Sequence, residues 1–199
     1  MTYHSCKRMK RSEKGQGLVE FSLVAILLMI LVAGIAEYGT LLNDYLNLVD
    51  ASREAVRYSS SFDPFAGMEG EWEENPQFYQ DTIQLTHEVL APLTLDSEEG
   101  DDIIVSFFTV GDGIYIRYPN TTGYRWSSTQ TSQFTDAMIQ ERLQTGAQPA
   151  GVLLVEIFYH YHQRLQLPLF TELIPDPIPV YAYAMMPLAA AKPEDTPVP

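Results

Sequence analysis

From Leu18 to Ala36 the chain runs nineteen residues with no proline and a single charge, Glu20. Wound as an α-helix, that stretch is about 28 Å long, close to the ~30 Å of a bilayer's hydrocarbon. Just before it lies a basic leader with Lys7, Arg8, Lys10, Arg11 and Lys14. Residues 1–17 carry a balance of +4, and the rest of the chain a balance of −18. Such a split suits two compartments, with the basic end kept in the cytoplasm and the acidic remainder across the membrane. An acidic body also argues against nucleic acid as a partner, because phosphates need a basic footprint. The one cysteine, Cys6, precedes the apolar run, so neither a lipoprotein site nor an intrachain disulfide is expected. One alternative stays open here. Gly34-Ile35-Ala36 before Glu37 supplies the small residues of a secretory cleavage site.

Glu20 asks for a reason. At mid-bilayer a carboxylate costs roughly 2.5–3.5 kcal/mol, less near the edge where it can snorkel. Beyond Ala36 the helical pattern continues without a break. Tyr38, Leu41, Leu42, Tyr45, Leu48, Val49, Ser52, Ala55, Val56 and Ser59 recur at three- and four-residue steps. Asn43, Asp44, Asn47, Asp50, Arg53, Glu54 and Arg57 fall mostly on the other side. The pattern predicts one helix from Leu18 to about Ser60, membrane-spanning in its first half and amphipathic in its second. The amphipathic half is expected to pack on its own domain and to offer a flank to a partner helix.

The order of basic leader, Gly15, Glu20 five residues on, apolar run and amphipathic helix resembles type IV prepilins and pseudopilins. Two blocks narrow the resemblance to the TadE-like family of Tad (Flp-type) pilus systems. They are Gly17-Leu18-Val19-Glu20-Phe21-Ser22-Leu23-Val24 and Asp50-Ala51-Ser52-Arg53-Glu54-Ala55-Val56-Arg57-Tyr58. The resemblance implies a cut between Gly15 and Gln16 by a prepilin peptidase, placing Glu20 at mature position five beside Phe21. It marks Arg53, Glu54 and Arg57 as the family's helix-end motif. The new ammonium at Gln16 and a neighbouring subunit's Glu20 would then meet and set register, in a low dielectric that strengthens the attraction but charges each ion its desolvation. Gly17 is a second glycine, but a cut there would leave Glu20 at position three. Read without the resemblance, Glu20 is a snorkelled residue at the membrane edge.

Past Ser60, serines, Pro64, Gly67 and Gly70 predict an acidic loop. Asn75-Pro76 caps a short helix whose stripe is Phe78, Thr82, Leu85 and Val89. Asp96 to Asp102 holds five acids in seven positions, read as a solvated turn in preference to a calcium loop. Ile103–Val110 and Ile114–Tyr118 flank Gly111-Asp112-Gly113 as a hairpin. Pro119 to Gln133 reads as loop and Phe134 to Leu143 as a second short helix. In Gly151–Gln163 the alternation is clear: Leu153, Val155, Ile157, Tyr159 and Tyr161 point one way, Glu156, His160 and His162 the other. Those last three are the weak candidates for a metal site, set against a plain polar sheet face. Ile178–Leu188 makes the last strand.

The expected fold is therefore α+β and pilin-like, a long N-terminal helix packed on a small antiparallel sheet of about four strands with short flanking helices. The expected parts are a leader (1–15), a helix (16–60, transmembrane about 18–36 and amphipathic about 37–60), an extracytoplasmic domain (61–191) and a disordered tail (192–199). No catalytic constellation and no cofactor are expected. The resemblance implies a minor pilin or pseudopilin acting in pilus initiation, assembly or adhesion, single-pass with its N-terminus inside. Its implied partners are other pseudopilins, the major pilin, the prepilin peptidase and the inner-membrane assembly platform, besides the lipid bilayer. The rivals are a signal-anchored or secreted ligand-binding domain outside any pilus, and an exported metalloenzyme centred on His160 and His162.

Overall fold

The computed structural model describes residues 13–67, 74–110, 115–119, 123–142, 150–166 and 174–189. Its first helix, α1, runs Glu13–Ser59. The leader before Glu13, the acidic stretch 68–73, the hairpin turn 111–114 and the tail from Ala190 lie outside the described residues. The chain divides into two compact units that meet within α1, one up to Thr40 and one from Leu41.

In the first unit the apolar run is bare. Leu18, Phe21, Leu27, Met29 and Ile35 are each more than half exposed. Water would not tolerate such a surface on an isolated helix, and lipid would. It is the one described helix long and apolar enough to cross a membrane.

The second unit is built around a five-stranded antiparallel sheet. Its strands are β1 (Asp102–Val110), β2 (Tyr115–Tyr118), β3 (Tyr124–Arg125), β4 (Ala150–Tyr161) and β5 (Ile178–Leu188). The order is β2-β1-β4-β5, with β3 beside β1 next to β2. Register follows the alternation of the sequence. Val155 of β4 lies between Val105 of β1 and Ala184 of β5, and Glu156 between Ile104 and Tyr183. All odd-numbered core residues of β1 and β4 thus share one face with the even-numbered residues of β5.

That face is covered by α1 and by α2 (Pro76–Leu90). Leu48, Ala51, Ala55 and Val56 of α1 meet Ile103, Val105, Phe107, Leu153, Val155 and Ile157 in one buried cluster. Asn75 starts α2 as expected, its side chain accepting the Gln77 N–H, with proline following. Its buried stripe is Phe78, Tyr79, Thr82, Ile83, Thr86 and Leu90, one step round from the expected one, which leaves Val89 exposed. The cause is aromatic packing: Tyr79 stacks on Tyr124 at 4.9 Å and on Phe107 at 6.1 Å, turning the helix toward β3. The Tyr79 hydroxyl donates to Glu74 at 2.7 Å, whose carboxyl is pushed up by burial.

The opposite face is also covered, by the segment 126–135 and α3 (Asp136–Arg142), through Phe108, Phe134 and Leu154. Two carboxylates hold that segment down. Asp102, fully buried, accepts the backbone N–H groups of Ile103, Ser127, Thr129 and Gln130 at 2.9–3.1 Å. Glu156, also fully buried, accepts from Ser132 Oγ, the Gln133 N–H and the Tyr181 hydroxyl. Buried carboxylates are tolerated when several donors replace water. The acidic run is therefore only partly solvated: Asp101 and Asp102 at its end are buried.

Candidate functional site

The stem helix carries the residues the sequence singled out. Gly15 and Gln16 lie inside α1 in its first turns, and the Gln16 amide donates to Glu20 Oε1 at 3.0 Å, one turn on. A methyl group at Gly15 would meet nothing within 4 Å. Phe21 beside Glu20 is 72 % exposed, so nothing within the chain covers it. The glutamate's only protein donor in the described structure is thus a neutral amide on its own helix.

At the other end of α1 the block Asp50–Tyr58 divides into two roles. Its small residues, Ala51, Ser52 and Ala55, are fully buried and let the helix lie close to the sheet. Its charges turn outward. Arg57 donates through Nε to Glu54 Oε2 at 2.9 Å and also through Nη2 to the other carboxylate oxygen. That fork holds the Glu54 carboxyl below the usual range and raises the guanidinium. Arg53 is exposed.

The buried face of α1 is Asp44, Leu48, Ala51, Ser52, Ala55, Val56 and Ser59. Asp44 was expected on the polar side and stands in the core instead, with Arg164 Nη2 at 2.9 Å. Leu42 and Tyr45, expected inside, are each 41 % exposed. The helix turns this way because the small residues Ala51, Ser52 and Ala55 let its middle lie close to the sheet, with Leu48 and Val56 filling the space beside them.

Glu156 and His160 share a face of β4 and His162 follows just past its end, yet each is engaged separately. Glu156 holds the segment 132–133. The His160 ring nitrogen Nδ1 sits 2.9 Å from Asp101 Oδ1, which also accepts the His160 backbone N–H. His162 lies with Nε2 at 2.8 Å from Glu99 and Nδ1 at 3.5 Å from Asp176. Among the described residues no three or more His, Cys, Asp or Glu side chains group as metal ligands. The sequence reading missed Asp44, Arg164 and Asp102. Only Asp44 had a local signal, since it continues the spacing of the buried residues Leu48, Ala51, Ser52, Ala55 and Ser59.

Fold and stem together define a class: an α+β protein whose one long apolar helix passes directly into the packing helix of a small antiparallel sheet. Residues 15–57 match the family model described as TadE-like protein. The match begins at Gly15 and ends at Arg57, taking in the first block from which the resemblance was drawn and all of the second but Tyr58. A TadE-like match points to a protein associated with a Tad pilus. The bare N-terminal helix is consistent with a single-pass membrane anchor in such a protein. No curated protein and no solved structure matched the chain.

Proposed function

We propose that this chain is a minor pilin or pseudopilin of a Tad-type pilus, cut after Gly15 by a prepilin peptidase and then built into the pilus or its initiating complex. The observation that carries the reading is the family match, which starts at the glycine and covers the stem. Local physics supports it. A peptide bond inside a helix is shielded from a peptidase, and each glycine weakens a helix by about 1 kcal/mol relative to alanine. Gly15 and Gly17 lie on either side of Gln16, so the first turns of α1 are the easiest part to unwind. Cleavage would give Gln16 an ammonium. Glu20, bonded in the uncut chain only to an amide, would gain a cationic partner on a neighbouring subunit. The family motif would serve as a packing block, its small residues fixing the domain on the stem while Arg53, Glu54 and Arg57 face other subunits.

N-terminal sequencing of the mature chain tests the first step, and Gln16 is the expected first residue. Gly15→Ala should leave the precursor uncut, and the open space around Gly15 means that result reads peptidase specificity and not misfolding. Glu20→Ala should be cut normally but enter the pilus at least several-fold less. A mature chain starting at Glu37, or one that assembles equally without the Glu20 carboxylate, would sink the proposal.

A further inference from the structure

The end of α1, the turn that follows it and the exposed stripe of α2 border an open groove of about 460 Å³. Its walls are held in place by the chain itself. The Thr82 hydroxyl donates to Ser59 Oγ at 2.8 Å and ties α2 to α1. Asn75 holds the turn, its backbone N–H donating to the Pro64 carbonyl and its side chain to that of Ala66. A groove already fixed in shape costs its occupant little ordering. Tyr58 and Phe62 line it with ring centroids 5.0 Å apart, and the two residues are 53 % and 48 % exposed.

The charge of the lining has one sign. Gln77, Asp81, Gln84 and Glu88 recur at four-, three- and four-residue steps, forming one stripe along α2. Each glutamine donates to the acid a turn further on, Gln77 to Asp81 at 2.6 Å and Gln84 to Glu88 at 2.9 Å. On the turn, Asp63 accepts the Phe65 N–H. A glutamine amide positions a carboxylate but leaves its full charge, whereas a lysine there would have cancelled it. The second oxygen of each of these three acids has no protein donor among the described residues. No described lysine, arginine or histidine lines the groove. Asp81 and Glu88 stand seven residues apart, about 10 Å along the helix, which is too far for both to ligate one metal ion.

We infer that this groove binds a basic segment of another polypeptide, one that presents two lysine or arginine side chains about 10 Å apart. The cationic ends take the open oxygens of Asp81 and Glu88, and a basic side chain lies with its apolar stem and charge over Tyr58 and Phe62. Two occupants from this chain itself fail on charge. Residues 68–73, which follow the turn, add Glu69, Glu71 and Glu73 and no base. The domain of a second copy offers few free cations. No lysine lies between Lys14 and Lys192, and Arg57, Arg117 and Arg164 already bond within the chain. The inference concerns the groove alone and does not depend on cleavage at Gly15.

The test places a photo-cross-linking amino acid at Ala66, an exposed residue of the groove wall, in the full-length chain in producing cells. The adduct peptide is read by mass spectrometry. An adduct to a different polypeptide is expected, on a segment bearing at least two lysines or arginines. Asp81→Asn combined with Glu88→Gln keeps the side-chain shapes at two exposed positions and should reduce the adduct about tenfold. Phe62→Ala, also at an exposed position, should reduce it about threefold. Asp50→Asn removes an acid that lines the hollow beside β5 and not this groove, and should stay within about twofold of the parent. That control separates the site from general attraction to an acidic domain. No adduct, an adduct only to a second copy or to a segment without bases, an adduct indifferent to the double variant or to Phe62→Ala, or an equal loss with Asp50→Asn would overturn the inference. N-terminal sequencing of the same samples reports separately on the pilin reading.

Discussion

Asp44 and Arg164, 120 positions apart, form the one described ion pair that ties α1 to the loop after β4. The two ends differ in burial: the Asp44 side chain is 5 % exposed and that of Arg164 56 %. Removing either partner therefore has unequal consequences. Arg164→Ala leaves a carboxylate buried against the sheet without its guanidinium, and buried charges stripped of a partner cost several kcal/mol. Solvent reaching the Arg164 side lowers that, so a loss of about 2 kcal/mol is expected. Asp44→Asn removes the buried charge itself and leaves the arginine half-exposed, and should cost under about 1 kcal/mol. Thermal unfolding of the full chain in detergent would show the asymmetry, and equal losses would mean the pair acts as a surface contact. The sequence pattern places Asp44 on the solvent side for a physical reason. Hydropathy favours Leu42 and Tyr45 for the core, whereas the contact is decided by the small residues Ala51, Ser52 and Ala55.

At the scale of elements, the contact between α2 and the residue that follows the short β3 carries a pH dependence. His87 of α2 meets Trp126 edge-on at 4.6 Å, and its Nε2 is buried without a hydrogen-bond partner. Burial lowers its pKa below the ordinary value of 6.5. The folded state then takes up this proton at a lower pH than the unfolded state does, so stability rises with pH through that interval. The contribution is complete above about pH 6.5 and is lost as pH falls through the folded value. Unfolding midpoints measured from pH 7.5 to 5 should decline for the parent and decline less for His87→Leu. Parallel curves would show that other groups, Glu88 and Arg125 around the same hollow among them, set the profile. β3 itself was not legible in the sequence. Two residues inside a polar loop carry no period, and Tyr124 and Arg125 become a strand only because β1 has a free neighbouring stretch at Ile104 and Val105. The same holds for the carboxylates of Asp102 and Glu156, whose donors lie 23–28 residues away in sequence for the loop contacts. β4 and β5 were legible because alternation is a local signal, and it survived with its bounds nearly unchanged.

For the whole molecule, the uneven charge becomes an argument about direction. Residues 1–17 carry +4 and the remainder −18. A bacterial membrane is negative inside, and each charge moved across 100 mV changes the energy by about 2.3 kcal/mol. Carrying the acidic domain outward runs with that field, and holding the basic leader inside does too. For the proposed orientation, N-terminus in, the two contributions have the same sign, and the leader is the cheaper end to alter. Converting the leader with Lys7→Glu, Arg8→Glu, Lys10→Glu and Arg11→Glu leaves every described residue untouched while reversing its sign. The field on the acidic domain is unchanged by these substitutions, so any loss of export measures the leader alone. Protease added to spheroplasts should digest the domain of the parent and reach that of the variant about tenfold less. Equal digestion would mean that the domain's own charge, or the family's assembly machinery, fixes the orientation without the leader.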